Sequence, residues 1–234
     1  MRAEPLKVWI TRAQPGAAAT ARRVLAMGFS PLTAPLLVVE PEGTGEIDLA
    51  GVAALAFTSA NGVRTFAARS ATRALPVYAV GAATAQAARD AGFGRVAHFG
   101  GDVGDLAAGL AADAGSMAGV VLHPGASEPA GDLVVALAGR GIVVRRLALY
   151  RTRPAALGPD HLEALAKADA ALVHSPKGAA ALAEALARHP RPDLRVLAIS
   201  PAALRPLEAV TLAARLAAAR PREADLLALL AETA

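Results

Sequence analysis

The chain has 234 residues, of which 54% are hydrophobic, only 3% are aromatic and none is cysteine. The missing cysteine excludes disulfides, thiol nucleophiles and cysteine-ligated metal sites. The formal net charge of +4 is carried mostly by scattered arginines, and without a basic run or an aromatic platform it predicts no nucleic-acid partner. The N-terminal residues lack the long apolar core of a signal peptide, and no run of about 18 apolar residues follows. We therefore expect a cytoplasmic protein with no membrane partner.

Short aliphatic runs alternate with helix-compatible segments along the whole chain. The predicted strands are Val8–Ile10, Leu32–Val39, Ala54–Phe57, Val77–Val80, a weaker one near Val96, Val120–Leu122, Ile142–Leu149, Ala171–Val173, Val196–Ile199 and Val210–Leu212. The predicted helices are Gly16–Met27, Asn61–Arg69, Ala82–Ala91, Asp105–Ala114, Asp132–Arg140, Asp160–Lys167, Lys177–Arg188, Ala202–Glu208 and Arg222–Ala231. This alternation predicts an α/β protein with parallel sheets.

The two halves of the chain share a pattern of chain breakers. Gly28 and Gly141 each end a helix before a long strand, and they are 113 residues apart. Pro41 and Pro154 end those strands and have the same separation. A constant offset is typical of a duplicated unit, so we expect two similar domains with a ligand cleft between them.

Hydroxyl-bearing and small residues follow the predicted strands. These loops contain Thr11-Arg12, Thr58-Ser59, Gly81 to Thr84, His123 to Ser127, Ser175 to Lys177, and Ser200. Carboxyl ends of parallel strands meet helix N-termini at one sheet edge, which favours a ligand site there. Ser59 and Ser175 occupy N-cap positions, so each hydroxyl either caps its helix, binds an anionic ligand, or does both.

The sequence lacks the motifs of serine nucleophiles, metal sites and nucleotide-binding loops. The serines lack the Gly-x-Ser-x-Gly pattern of a nucleophile elbow. The five histidines are dispersed without metal-ligand spacing, so we expect no metal site and interpret them as surface or loop residues. The segment after the first strand lacks Gly-x-Gly-x-x-Gly, and Gly100 to Gly104 lacks the Lys-Ser/Thr of a phosphate loop. What remains is catalysis by positioning and hydrogen bonding, or binding alone.

An ordered series of motifs resembles the uroporphyrinogen-III synthase family. The series comprises Val8-Trp9-Ile10-Thr11-Arg12, Gly28 with Pro35-Leu36-Leu37, Phe57-Thr58-Ser59-Ala60-Asn61-Gly62-Val63, Val80-Gly81-Ala82-Ala83-Thr84-Ala85, Gly141-Ile142-Val143-Val144, Leu149-Tyr150-Arg151-Thr152 and Ser175-Pro176-Lys177-Gly178. The resemblance covers nearly the whole chain. It implies two α/β domains joined by a two-stranded linker, with the active site in the cleft. One domain would contain residues 1–38 plus 153–234 and the other residues 39–152.

The resemblance also implies a reaction. The substrate would be hydroxymethylbilane, a linear tetrapyrrole with eight carboxylates. The enzyme would expel the terminal hydroxyl as water, invert the last pyrrole ring through a spiro intermediate and close the macrocycle. No cofactor is needed, because the electron-rich pyrroles ionise the hydroxymethyl group themselves. The task of the protein would then be geometric, with assistance to proton transfer.

Residue by residue, the resemblance assigns Tyr150 as the group that protonates the departing hydroxyl. It assigns hydroxyls of Ser59, Thr84 and Ser175 to substrate carboxylates. The same strand-end loops add further candidates for substrate binding. These are Arg12, Thr58, Gly81, Lys177 and Ser200, with Arg64 and Arg151 as further cations.

One departure from the family pattern is Ser200-Pro201-Ala202-Ala203, where Gly-Pro-Thr-Thr is common. His174 also stands where a small hydroxyl residue is common. We expect fewer substrate contacts but retained activity. A non-catalytic tetrapyrrole- or polyanion-binding regulatory module with the same fold is the alternative. We expect a monomer, since the two halves already supply paired lobes.

Overall fold

The computed structural model describes residues 4–129 and 131–232. The strands are β1 Lys7–Ile10, β2 Ser30–Thr33, β3 Leu37–Pro41, β4 Val52–Phe57, β5 Val77–Ala79, β6 Val96–His98, β7 Val120–Ala126, β8 Val144–Pro154, β9 Ala170–Val173, β10 Arg195–Ala198 and β11 Ala214–Ala217. The helices are α1 Gly16–Ala26, α2 Ala60–Arg69, α3 Ala82–Asp90, α4 Val103–Ala112, α5 Leu133–Ala136, α6 Pro159–Lys167, α7 Pro176–Arg188, α8 Pro201–Leu204 and α9 Glu223–Ala231. Short 3₁₀ turns cover Ala114–Ser116 and Arg205–Leu207.

The chain forms two compact units. Unit 1 contains the residues up to Val38 and those from Arg153 onward, and unit 2 contains Val39–Thr152. The chain passes from one unit to the other within β3 and within β8, which are neighbours in one sheet. Backbone bonds from Glu42 N to Leu149 O and from Ala155 N to Leu36 O show that these two strands run antiparallel.

Unit 1 is built on a five-stranded sheet with the order β11-β10-β9-β1-β2, parallel throughout. Both faces of this sheet are covered by helices. Alternate residues of each strand point to opposite faces, so each strand contributes to two cores. On one face, Trp9 and Val173 lie in a core with residues of α6 and α7. On the other, Ile10 and Leu172 pack in a core with residues of α1 and α9.

Unit 2 is built on a six-stranded sheet with the order β3-β8-β7-β4-β5-β6. From β8 to β6 all pairings are parallel. Phe57, at the end of β4, packs edge-on against Phe66 of α2, with ring centroids 5.9 Å apart. This contact fixes α2 against the strand from which it emerges.

Five strands of each sheet have the same spatial order, although unit 1 is formed by two separate stretches of the chain and unit 2 by one. In unit 1 the chain order β9, β10, β11 runs outward from β1, and in unit 2 the order β4, β5, β6 runs outward from β7. The strand pair β1 and β2 matches β7 and β8. The predicted fold class, two similar parallel-sheet α/β domains, is confirmed. Among the described residues, no helix is long and apolar enough to cross a membrane.

Three sequence-based element predictions were wrong. The predicted strand Leu32–Val39 is two strands in different sheets, because Pro35 between them has no N–H for a ladder. The predicted helix Asp132–Arg140 shrinks to α5, since positive φ at Gly139 and Gly141 turns the chain. The predicted strand Val210–Leu212 lies before β11, because Val210 donates its N–H to Leu207 in a turn.

Candidate active site

The edge of unit 2 brings a serine and a tyrosine into contact. Ser59 follows β4 and is the N-cap of α2, where its Oγ accepts a hydrogen bond from Gly62 N–H at 3.1 Å. Tyr150 lies on β8, and its Oη is 2.7 Å from Ser59 Oγ. Because β7 lies between β4 and β8, this bond joins residues from strands that are not neighbours. Two predicted site residues therefore form one hydrogen-bonded pair.

Tyr150 is largely buried, with 5% of its surface exposed. Burial raises the pKa of the Tyr150 phenol, and the bond to Ser59 opposes this by lowering it. Tyr78, the other tyrosine, donates to Asp113 Oδ2 at 2.8 Å. Burial and that carboxylate raise the pKa of Tyr78 to about 12. The Tyr78 phenol is therefore hydrogen-bonded to a carboxylate, whereas the Tyr150 phenol is hydrogen-bonded to a neutral hydroxyl.

The remaining unit 2 candidates lie on the neighbouring strand ends. Thr58 is half-buried directly after β4. Gly81 is the N-cap of α3 and has no side chain with which to cap it. Thr84, in the first turn of α3, is buried with 5% exposure. Since β4 and β5 are adjacent and parallel, these residues share one edge of the sheet with Ser59.

Unit 1 has a comparable edge. Ser175 caps α7 by accepting from Gly178 N–H at 3.1 Å, and Ser200 caps α8 by accepting from Ala203 N–H at 3.4 Å. Each serine oxygen accepts a helix N–H, which leaves the hydroxyl proton as a donor to another group. Lys177, in the first turn of α7, is exposed. β9 and β10 are adjacent, so Ser175 and Ser200 lie at the same edge.

Arg12 follows β1 at this edge and forms an ion pair. Its Nη1 lies 3.2 Å from Glu223 Oε2, and Arg23 Nη1 lies 2.8 Å from the same oxygen. Thr20 completes the cluster with a hydrogen bond between its Oγ1 and Glu223 Oε1. The guanidinium of Arg12 is therefore partly neutralised by a residue of α9. Glu223 is not apparent as a partner from the sequence, because 211 positions separate it from Arg12.

His174 is the least expected residue at this edge. Both of its ring nitrogens are shielded from solvent and have no hydrogen-bond partner among the residues that the structure describes. Burial, with a smaller contribution from Arg12, holds the pKa of His174 well below its usual value. His174 lies in the loop between β9 and α7, as expected of the histidines, whereas that expectation was wrong at His123. His123 is buried in β7, where its Nδ1 lies 2.8 Å from Ala56 O.

The chemistry of these edges is dominated by hydroxyls and helix N-termini. Among the described residues, no group of three or more histidine, aspartate or glutamate side chains is placed to hold a metal ion. Hydroxyls capping helices and the N–H groups of first turns bind anions such as carboxylates. The Tyr150 phenol adds a group that donates or accepts a proton.

Comparison with known families decides the assignment. A family model described as uroporphyrinogen-III synthase HemD matches residues 18–228. The chain belongs to the uroporphyrinogen-III synthase family. The match spans both units and all the predicted site residues except Arg12, which lies before it.

Solved uroporphyrinogen-III synthases have a similar fold. The uroporphyrinogen-III synthetase from Helicobacter pylori aligns over 98% of this chain and 100% of its own, with 19% identity and a TM-score of 0.66. A mutant uroporphyrinogen III synthase from the extremely thermophilic bacterium Thermus thermophilus aligns over 97% of each chain, with 20% identity and a TM-score of 0.51. At such low identity these likenesses concern the fold alone. No curated protein matched in a sequence search.

Proposed function

We propose that this chain is an active uroporphyrinogen-III synthase. It would act as a cyclising hydro-lyase that converts hydroxymethylbilane into uroporphyrinogen III with loss of water. The match of the family model over residues 18–228 carries this proposal. The Tyr150–Ser59 pair supports it, because it supplies the phenol that the reaction can use.

Tyr150 acts as the acid in this proposal. The C–O bond of the terminal hydroxymethyl group breaks, the phenol proton goes to the departing hydroxyl, and water leaves. The resulting cation is attacked by the substituted α-carbon of the pyrrole at the other end of the chain, which gives the spiro intermediate. The bond from that carbon to its original methylene bridge then breaks, and the freed bridge carbon bonds to the unsubstituted α-carbon of the same ring, which inverts the ring. Ring closure then releases one proton from the pyrrole framework to the Tyr150 phenolate. The enzyme thus returns to its starting state without a cofactor.

Hydroxyl and backbone N–H donors bind the substrate carboxylates. In unit 2 the proposal assigns this role to Thr58, Gly81 and Thr84, which share an edge of the sheet with Ser59. Many weak polar contacts suit a flexible polyanion, because they fix its conformation without one dominant charge.

In unit 1 the proposal assigns the same role to Ser175, Ser200, Lys177 and Arg12. Ser175 and Ser200 retain their hydroxyl protons for a carboxylate, as their caps use only the oxygens. Arg12 shares its charge with Glu223, so we expect it to contribute less than a free guanidinium would.

The test is product analysis with freshly generated hydroxymethylbilane. The products are oxidised and the isomers separated by chromatography, with a control that lacks protein. Predominance of isomer III is the expected result. If only isomer I forms, at the rate of the control, the enzymatic proposal is wrong and a binding module remains.

We further propose that the enzyme works as a cytoplasmic monomer, in keeping with the expectation from sequence. Light scattering coupled to size-exclusion chromatography measures the oligomeric state directly. A mass near 23.5 kDa is expected, and twice that mass would contradict the proposal.

A further inference from the structure

The hydrogen bonds of Ser59 restrict what its hydroxyl can do. A serine oxygen has two lone pairs and one proton. Gly62 N–H uses one lone pair at 3.1 Å, and a backbone N–H is always the donor. Tyr150 Oη, at 2.7 Å, occupies a second direction. The bond to Tyr150 has two possible senses, since either hydroxyl is able to donate.

Two effects favour Ser59 as the donor to Tyr150. An oxygen that already accepts a hydrogen bond becomes a better donor, because hydrogen bonds in a chain polarise one another. Ser59 lies at the N-terminus of α2, where the helix dipole is positive. This positive end draws electron density from the serine oxygen toward the helix, and the serine proton becomes a stronger donor. The resulting chain runs from Gly62 N–H to Ser59 O–H to Tyr150 Oη. In this arrangement the phenol proton of Tyr150 is free to point at another group.

We propose that Ser59 is a positioning residue that acts through Tyr150, by donating its proton to the phenol oxygen. This inference rests on the proposed function, in which Tyr150 protonates the departing hydroxyl. When Tyr150 gives up that proton, the Ser59 hydrogen bond faces a phenolate and becomes charge-assisted, which strengthens it about twofold. The interaction is therefore stronger after proton transfer than before it, which is the condition for accelerating the step.

Unit 1 contains the same cap without the tyrosine. Ser175 accepts from Gly178 N–H at the same 3.1 Å as Ser59 does from Gly62. The residue 113 positions before Tyr150 is Leu37, whose side chain lies beside Gly178. Capping thus occurs equally well beside an apolar side chain. The hydrogen bond between Ser59 and Tyr150 is therefore not required for Ser59 to cap α2.

The test is a double-mutant cycle of Ser59→Ala and Tyr150→Phe, with Ser59→Thr as the conservative variant. Losing a hydrogen bond to a charged group lowers kcat by about 10- to 100-fold. We expect Ser59→Ala to show this loss with unchanged KM, and Ser59→Thr to restore most of the rate. In the Tyr150→Phe background we expect Ser59→Ala to have no further effect.

A direct role of Ser59 in substrate binding predicts a different result. Ser59→Ala would then raise KM in both backgrounds, and this outcome would overturn the proposal. Asp102→Ala controls for the loss of a helix cap, since Asp102 Oδ1 caps α4 by accepting from Asp105 N–H at 2.8 Å. It should lower the melting temperature as Ser59→Ala does, because a helix cap is lost, while leaving kcat unchanged.

A measurement without substrate separates this inference from the proposed function. The chain has only two tyrosines, so ¹³Cζ-tyrosine NMR gives two resonances, assigned by Tyr78→Phe. Loss of the donor should raise the pKa of Tyr150 in Ser59→Ala and leave that of Tyr78 unchanged. An unchanged or lowered pKa of Tyr150 would show that the phenol is the donor, and the proposal would fall even if the synthase activity is present.

Discussion

The ring nitrogens of His174 are shielded from solvent and have no hydrogen-bond partner in the described part of the chain, which predicts that this protein loses stability in mild acid. The pKa of His174 is held well below 6.5 in the folded state, so the folded protein keeps the ring neutral. The unfolded chain, in contrast, takes up a proton as pH falls through about 6.5. Because the unfolded state then binds more protons, the free energy of unfolding decreases as pH falls. The stability contributed by the neutral ring is complete above the unfolded pKa and is lost below it.

The substitution His174→Leu removes this dependence. Between about pH 7 and about pH 5.5, protonation of one such histidine in the unfolded state lowers the free energy of unfolding by about 1.2 kcal/mol. At about pH 7 we expect the variant to be more stable by about 1 kcal/mol, because no buried nitrogen is left without a partner. The advantage should roughly double at the lower pH.

Trp9 provides the assay. It is the only tryptophan, it is fully buried, and it lies in the same unit as His174. Urea unfolding followed by tryptophan fluorescence at the two pH values therefore reports on the unit that holds the mutation. His189→Gln removes an exposed imidazole from the same unit and serves as the matched control. Equal pH dependence in His174→Leu and the parent protein would refute the reasoning.

Two further predictions concern the helix starts and the phenol. An added Cβ at Gly62 would lie 2.8 Å from the backbone oxygen of Pro124, so Gly62→Ala should destabilise unit 2 by about 1–3 kcal/mol in thermal unfolding. An added Cβ at Gly178 would lie 3.4 Å from its nearest atom, Ser175 Oγ, so Gly178→Ala should stabilise α7 by up to about 1 kcal/mol. Equal effects of Gly62→Ala and Gly178→Ala would contradict the packing argument. Tyr150→Phe should lower kcat by at least about 100-fold and leave KM nearly unchanged in the isomer assay, and an unaltered kcat would eliminate the acid role.

Most of the fold could be predicted from periodicity and chain breakers. Strands buried on both faces are continuous aliphatic runs, such as Ala171–Val173, and they stand out against alanine-rich helices. The wrong predictions concern short segments in which the local composition favours a different element from the one that forms. Ala214–Ala217 is a half-buried strand of alanine, arginine and leucine, which are residues that favour helix, whereas the apolar Val210–Leu212 nearby is a turn and loop. Pairing with β10 decides the strand, and that partner is not visible locally.

The site was predictable in its parts but not in its contacts. The cap positions of Ser59 and Ser175 follow from local sequence, since a serine before a helix predicts its own hydrogen bond. The Ser59–Tyr150 bond joins residues 91 positions apart and depends on how three strands are ordered. The unpaired nitrogens of His174 depend on surroundings that close only in the folded unit.

The two similar units differ at the position to which the proposal assigns the acid. Both units offer a capped helix after a central strand, so both provide hydroxyl and N–H donors suited to carboxylates. The difference lies in the strand beside them, where Tyr150 occupies the position that Leu37 has in the other unit. A single change from leucine to tyrosine adds a proton donor to a binding edge without altering the scaffold. If Tyr150→Phe retains substrate affinity while losing turnover, binding and proton transfer reside in separable features of the two units.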